Sequence, residues 1–165
     1  MVKSPEKSNY PKPMSFVTVV FWTGLIGGLF WGTIGYLAYY FNFTEIRPNI
    51  ILGPWALGAW KNEWLGTVIS IILLGILSVG AAFVYSIALK KFNGIWLGFG
   101  YGIALFLIVY LVLNPIFSEM KPFLELSRNT VITSICLYLV YGLFIGYSIN
   151  YEYEINQMEE NETAS

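Results

Sequence analysis

Four long runs of uncharged residues, 13–44, 64–89, 92–118 and 129–151, alternate with short segments that hold the charges. Each run exceeds the roughly 20 apolar residues needed to cross a bilayer core of about 30 Å. The pattern predicts an all-α membrane protein, a four-transmembrane-helix bundle with helices over about 14–41, 64–89, 94–113 and 129–150. One transmembrane domain then covers 14–150, with loops at 42–63 and 114–128 on the same side. Residues 1–13 read as a disordered basic head carrying Lys3, Lys7 and Lys12. A basic start before an apolar run resembles a secretory signal, but this run is too long and no small-x-small site ends it, so it reads as a retained first helix. The segment Lys90-Lys91-Phe92-Asn93-Gly94 reads as a tight turn that makes the second and third helices an antiparallel pair. Pro115 disfavours helical geometry at Asn114, so the third helix is expected to kink or end there. Residues 151–165 form an acidic tail, expected to be disordered beyond its first turn.

Within the runs, glycine has a period of its own. Gly24, Gly28 and Gly32 recur every fourth residue, as do Gly94, Gly98 and Gly102, and then Gly142 and Gly146. That spacing places them on one helix face. In a soluble helix each would cost about 1 kcal/mol relative to alanine. In a membrane the same row lets a second backbone approach closely, so that van der Waals contact replaces the missing hydrophobic drive. These glycines are therefore candidate helix-packing residues. Gly66, Ser70, Ser78, Ala82 and Ser86 make a similar small-residue row on the second helix, broken at Leu74. The first and third helices are parallel and both carry glycine rows; duplication of a two-helix hairpin or convergent packing demands would each produce this.

Composition narrows the chemistry. The chain of 165 residues is 56% hydrophobic and 12% charged, against about 25% charged in a typical soluble domain. A net charge of −1 argues against a nucleic-acid partner. There is no histidine, no aspartate and a single cysteine, Cys136. A Ser-His mechanism, a cysteine relay and a Cys- or His-based metal site therefore lack their groups. No glutamate falls inside any run, which leaves neither an embedded carboxylate dyad nor the buried acid of a proton-coupled pump. The expectation is a protein that is not an enzyme and needs no cofactor or metal. Its expected partners are the lipid bilayer and either further copies of itself or a larger membrane protein.

Some polar groups remain to be placed. Thr130, Ser134 and Tyr138 share a face of the fourth helix that continues into Gly142 and Gly146. They form either a polar helix interface or, with Asn114 at the broken end of the third helix, a groove for a hydrated path or small ligand. Trp31 lies near the middle of the first span, where its N–H must find a partner away from water. The 42–63 loop mixes Glu45 and Arg47 with Trp55 and Trp60. Tryptophan prefers the headgroup level, so this loop reads as a segment on the membrane surface or as a lid and partner-binding loop. Glu45, Arg47, Trp55 and Trp60 are the candidate contacts. Glu45/Arg47 and Glu125/Arg128 are candidate ion pairs across this face. Four spans put both termini on one side. Five lysines on that side against four basic residues in the loops tip the termini toward the cytoplasm. Asn42-Phe43-Thr44 and Asn161-Glu162-Thr163 match the glycosylation triplet, a pattern too short and common to carry an argument.

In the first loop, Phe41-Asn42-Phe43-Thr44-Glu45-Ile46, Pro48-Asn49, Pro54-Trp55-Ala56 and Trp60-Lys61 resemble the YqhR family of bacillar membrane proteins. Asn114-Pro115-Ile116-Phe117 and Gly146-Tyr147-Ser148-Ile149 are similar too. The resemblance covers about 15–153. It implies a small four-span protein of the plasma membrane in spore-forming Gram-positive bacteria, and it supplies no catalytic residue. Taken together, the sequence points to a structural or accessory membrane protein that acts through helix–helix and loop contacts. The alternative is a small channel or transporter for a neutral solute.

Overall fold

A computed structural model describes residues 15–56, 58–89, 94–117 and 120–164. The basic head, the 90–93 turn with Lys90 and Lys91, Glu119, and the side chains of Glu159, Glu160 and Glu162 lie outside the described residues. Four long helices carry the fold: α1 (Phe16–Tyr40), α2 (Trp64–Ala88), α3 (Ile95–Leu107) and α4 (Arg128–Ala164). The described residues contain no strand. All four helices are long and apolar enough to cross a membrane once α3 is counted with its extension, Trp96–Ile116. Ile26, Phe30, Ile72, Ile76 and Val84 are exposed on their outer surfaces, as lipid contact allows and water would not.

The α1 terminus is set by Asn42. Its φ of 61° is left-handed, a conformation asparagine tolerates better than most side chains. Asn42 N–H donates to Tyr39 O at 2.9 Å and Phe43 N–H to Ala38 O at 2.8 Å. These two bonds satisfy the last carbonyls in a Schellman motif. The chain then folds back through two 3₁₀ turns, Pro48–Leu52 and Ala59–Asn62. Asn49 is buried and holds them together: its amide donates to Lys61 O at 2.6 Å and accepts from the Thr67 hydroxyl at 3.0 Å. Gly66 lets this loop lie on α2, since a Cβ there would collide with Lys61 O.

One helix end agrees with the sequence reading and one does not. α3 ends near Asn114-Pro115 as expected, although its regular α geometry stops earlier, at Leu107. It widens into a π-helical stretch, Ile108–Leu113, and closes with a 3₁₀ turn, Asn114–Ile116. Pro115 occupies the first turn of that 3₁₀ segment, where its missing N–H costs nothing. α4 does not end near 150 but runs to Ala164, through the stretch expected to be disordered. Between Tyr151 and Ser165 the chain has neither glycine nor proline, so nothing local breaks the helix when the apolar run ends.

The close helix pairs are α1 with α2 and α3 with α4, and α1 also packs along α4. The second and third helices, expected to pair closely, meet chiefly through Tyr101, whose hydroxyl donates to Ala81 O at 2.6 Å and whose ring lies edge-on to Tyr85. One apolar core, around Val20, Ala82, Tyr85, Tyr141, Ile145 and Ile149, sits toward the chain termini. A second, around Phe106, Tyr110 and Met120, sits under the loops, with Ile46 and Phe123 packed on it.

Candidate functional site

Side-chain size decides where the helices touch. A Cβ on Gly24 would stand 2.7 Å from Val79 Cα, and one on Gly28 2.7 Å from Gly75 Cα, so α1 and α2 meet backbone to backbone. Gly32, further along, faces the side chains of Ile71 and Leu74. On the other pair, a Cβ on Gly98 would stand 3.1 Å from Gly142 O, and one on Gly102 2.9 Å from Leu139 Cα. Gly142 answers both, at 2.5 Å from Gly98 O and 2.6 Å from Gly102 Cα. Gly146 abuts Gly98 Cα and the Tyr85 ring. Gly94 does not take part: it precedes α3, and the side chain nearest its Cβ position is Leu97 of the same helix. Gly27, outside the four-residue row, instead lies against Phe144.

Most polar groups inside the bundle satisfy one another; the fully buried Ser70 hydroxyl has no hydrogen-bond partner among the described residues. Ser78 Oγ donates to Gly24 O at 2.6 Å. With its one proton committed there, the serine accepts from Tyr141 OH at 2.6 Å. One chain of bonds thus ties α4 to α2 to α1. Tyr110 OH donates to Ser134 Oγ at 2.6 Å, joining α3 to α4. Trp31 finds its partner on α4, where Nε1–H donates to Leu137 O at 3.0 Å and the indole stacks on Phe144. Asn150 donates to Tyr85 OH at 3.2 Å. In a hydrocarbon setting unpaired groups of this kind would cost several kcal/mol each. Tyr85, Tyr101, Tyr110 and Tyr141 were not singled out from the sequence. Their signal was available: a phenol inside an apolar run must find a partner.

The four candidates for a polar groove are divided. Ser134 is committed to Tyr110. Tyr138 sits edge-on to Phe106 and Tyr110 as part of an aromatic cluster. Thr130, fully buried, accepts Glu45 N–H at 2.9 Å and shares a hydrogen bond with Ser127. Asn114 donates to Lys121 O at 3.1 Å in the second loop.

Among the loop contacts, Glu45 pairs not with Arg47 but with Lys121, at 3.0 Å. This hydrogen bond, with help from Ser127, holds the Glu45 carboxyl below its ordinary range. Arg47 lies over the Tyr39 ring, 4.8 Å from its centroid. Neither Arg47, Glu125 nor Arg128 makes an ion pair among the described residues. In the 42–63 loop Trp55 is 82% exposed and Trp60 39%.

Between the helices, under the 44–51 segment, lies a cavity of about 410 Å³. That is within the roughly 300–1,000 Å³ of small-molecule sites. Gly28, Trp31, Gly32 and Gly35 of α1 form one wall, with Leu74, Leu77 and Ala81 of α2 beside them. Leu105, Ile108, Val109, Tyr110 and Leu113 line it from α3 and its π-helical extension, and Ser134, Leu137, Tyr138 and Tyr141 from α4. Ile46, Pro48, Ile50 and Ile51 roof it, with Arg47 the one charged residue of the lining.

A family model described as conserved membrane protein YqhR matches residues 2–164. Uncharacterized protein YqhR of Bacillus subtilis (strain 168) is 52% identical over 145 residues, covering 87% of this chain and 82% of that protein. No solved structure matches. Four helices of spanning length agree with the family's description, and this chain belongs to the YqhR family of conserved, multi-pass membrane proteins.

Proposed function

We propose that this protein is a non-catalytic accessory protein of the bacterial plasma membrane, with both termini cytoplasmic, acting through its lipid-facing helices and its 42–63 loop. The observation that supports this reading is how the polar groups are used. The buried hydroxyls of Ser78, Tyr141, Tyr110, Ser134 and Thr130 bond to one another or to backbone. The glycine rows are occupied by neighbouring helices of the same chain. What is left to meet another molecule is the apolar helix surface and the loop end, where Trp55 stands clear. Aromatic residues of this kind anchor protein interfaces.

The test is the mass of the full chain in mild detergent, alone and after chemical cross-linking in its native membrane. The reading predicts an assembly larger than one copy that Trp55→Ala with Trp60→Ala weakens. A strict monomer in both settings contradicts it. The cavity favours a second reading, passage of a neutral solute past Ser134 and Tyr138. Cysteines placed at those two positions would then react with a water-soluble thiol reagent, and absence of labelling removes that reading.

A further inference from the structure

The cavity has a side door. Leu77 on α2 and Ile108 on α3 both line it, yet they are 56% and 48% exposed. A residue that lines a cavity and is also half open marks its mouth. This mouth lies between the two consecutive helices that do not pack along each other. It therefore opens sideways, at the level of the hydrocarbon. The α3 wall at that point is the π-helical stretch, Ile108–Leu113. Such widened turns are rare and frequently border functional sites.

The lining states what would fit. Leucine and isoleucine are its commonest lining residues, and its hydroxyls at Ser78, Tyr110, Ser134 and Tyr141 are already committed to partners in the bundle, leaving that of Tyr138. Such walls suit a hydrocarbon chain better than a hydrated solute. The one charge in the lining is positive. Arg47 follows the end of α1 in the roof segment, at the end of the molecule where the loops meet. Its guanidinium lies over the Tyr39 ring and has no carboxylate partner among the described residues, so its N–H donors remain available for a phosphate. We propose that the cavity holds one acyl chain of an anionic phospholipid, admitted laterally between α2 and α3, with the lipid phosphate on Arg47. This goes beyond the accessory reading above and does not depend on it: the chain binds lipid whether or not it assembles.

The full-length protein, reconstituted in phosphatidylcholine vesicles, can be exposed to phosphatidylglycerol carrying a photoreactive group on one acyl chain, and the labelled residues mapped. The proposal predicts labelling at Val109 and Leu137 in addition to lipid-facing positions such as Ile72. Gly35→Leu would abolish the cavity labelling and leave that at Ile72. Gly35 lines the cavity and has nothing within 4 Å of its Cβ position, so a side chain there starts in open space. Arg47→Gln would reduce cavity labelling by the phosphatidylglycerol probe about tenfold, the scale of one lost charge-assisted hydrogen bond. It would reduce labelling by the matching phosphatidylcholine probe less, because choline offsets the charge of that phosphate. Labelling confined to outward positions overturns the proposal. So does equal cavity labelling by both probes with no response to Arg47→Gln, which removes the anionic headgroup, and so does reaction of a water-soluble thiol reagent with cysteine at Leu137.

Discussion

Two flanks of α2 and α3 can be set side by side. On one flank, α2 meets α1 and α3 meets α4 across glycine and serine, and backbones come together. On the other, α2 and α3 turn Leu74, Leu77 and Ala81 toward Leu105, Ile108 and Val109, and a cavity stands between them. The difference follows from the absence of a hydrophobic force between helices in lipid. Leucine against leucine gains little over leucine against an acyl chain, so large side chains do not draw two helices together. Small residues do, because they add backbone contacts that lipid cannot supply. Consecutive helices joined by a short connection are therefore not the tightest neighbours. The residues at the seam, rather than the length of the turn, choose the partner.

The largest expected effect lies in the seams. Gly142→Leu and Gly102→Leu would force a side chain into backbone on the facing helix and destabilise the protein by about 3 kcal/mol. Gly100→Leu on the open face of α3 would not. Reversible unfolding of each variant in detergent micelles measures this. Next come the bonds that tie α2 to α1 and α4. Ser78→Ala and Tyr141→Phe should each cost about 1 kcal/mol, with a coupling of about 0.6 kcal/mol in a double-mutant cycle.

The smallest effect lies at the loop end. Glu45 is stabilised as a carboxylate by Lys121, so its contribution is present above the unfolded carboxyl's pKa and fades as pH falls through the lowered folded value. The melting temperature of Glu45→Gln should sit slightly below that of the native chain at neutral pH, and the gap should close on acidification. Because the pair is solvent-exposed, added salt should shrink the same gap.

These contrasts were unevenly legible in the sequence. The four spans and the rows at Gly24, Gly28, Gly98, Gly102 and Gly142 were readable because both are periodic and local. Gly94 has the right spacing and the wrong place: it stands before the helix begins, and periodicity alone does not register that. The extension of α4 past Tyr151 was missed because hydropathy reports the membrane boundary, while a helix ends only where glycine, proline or a cap ends it. The cavity and its mouth were invisible. They depend on which large side chains face each other across α2 and α3, and on a π-helical stretch whose residues look like any apolar run. The Lys121–Glu45 pair was likewise out of reach, since it is made by the meeting of two loops far apart in the chain.

Gly28 and Gly35 lie on the same helix and admit the same substitution, which makes them the most direct test. A Cβ on Gly28 would collide with the Ser78 side chain, and one on Gly35 would enter open space in the cavity. The unfolding free energies of Gly28→Leu and Gly35→Leu in the same micelles should therefore diverge, with the first variant losing its folded state and the second holding native stability. Equal losses in the two would show that the seam and the cavity wall do not differ, and would contradict the account.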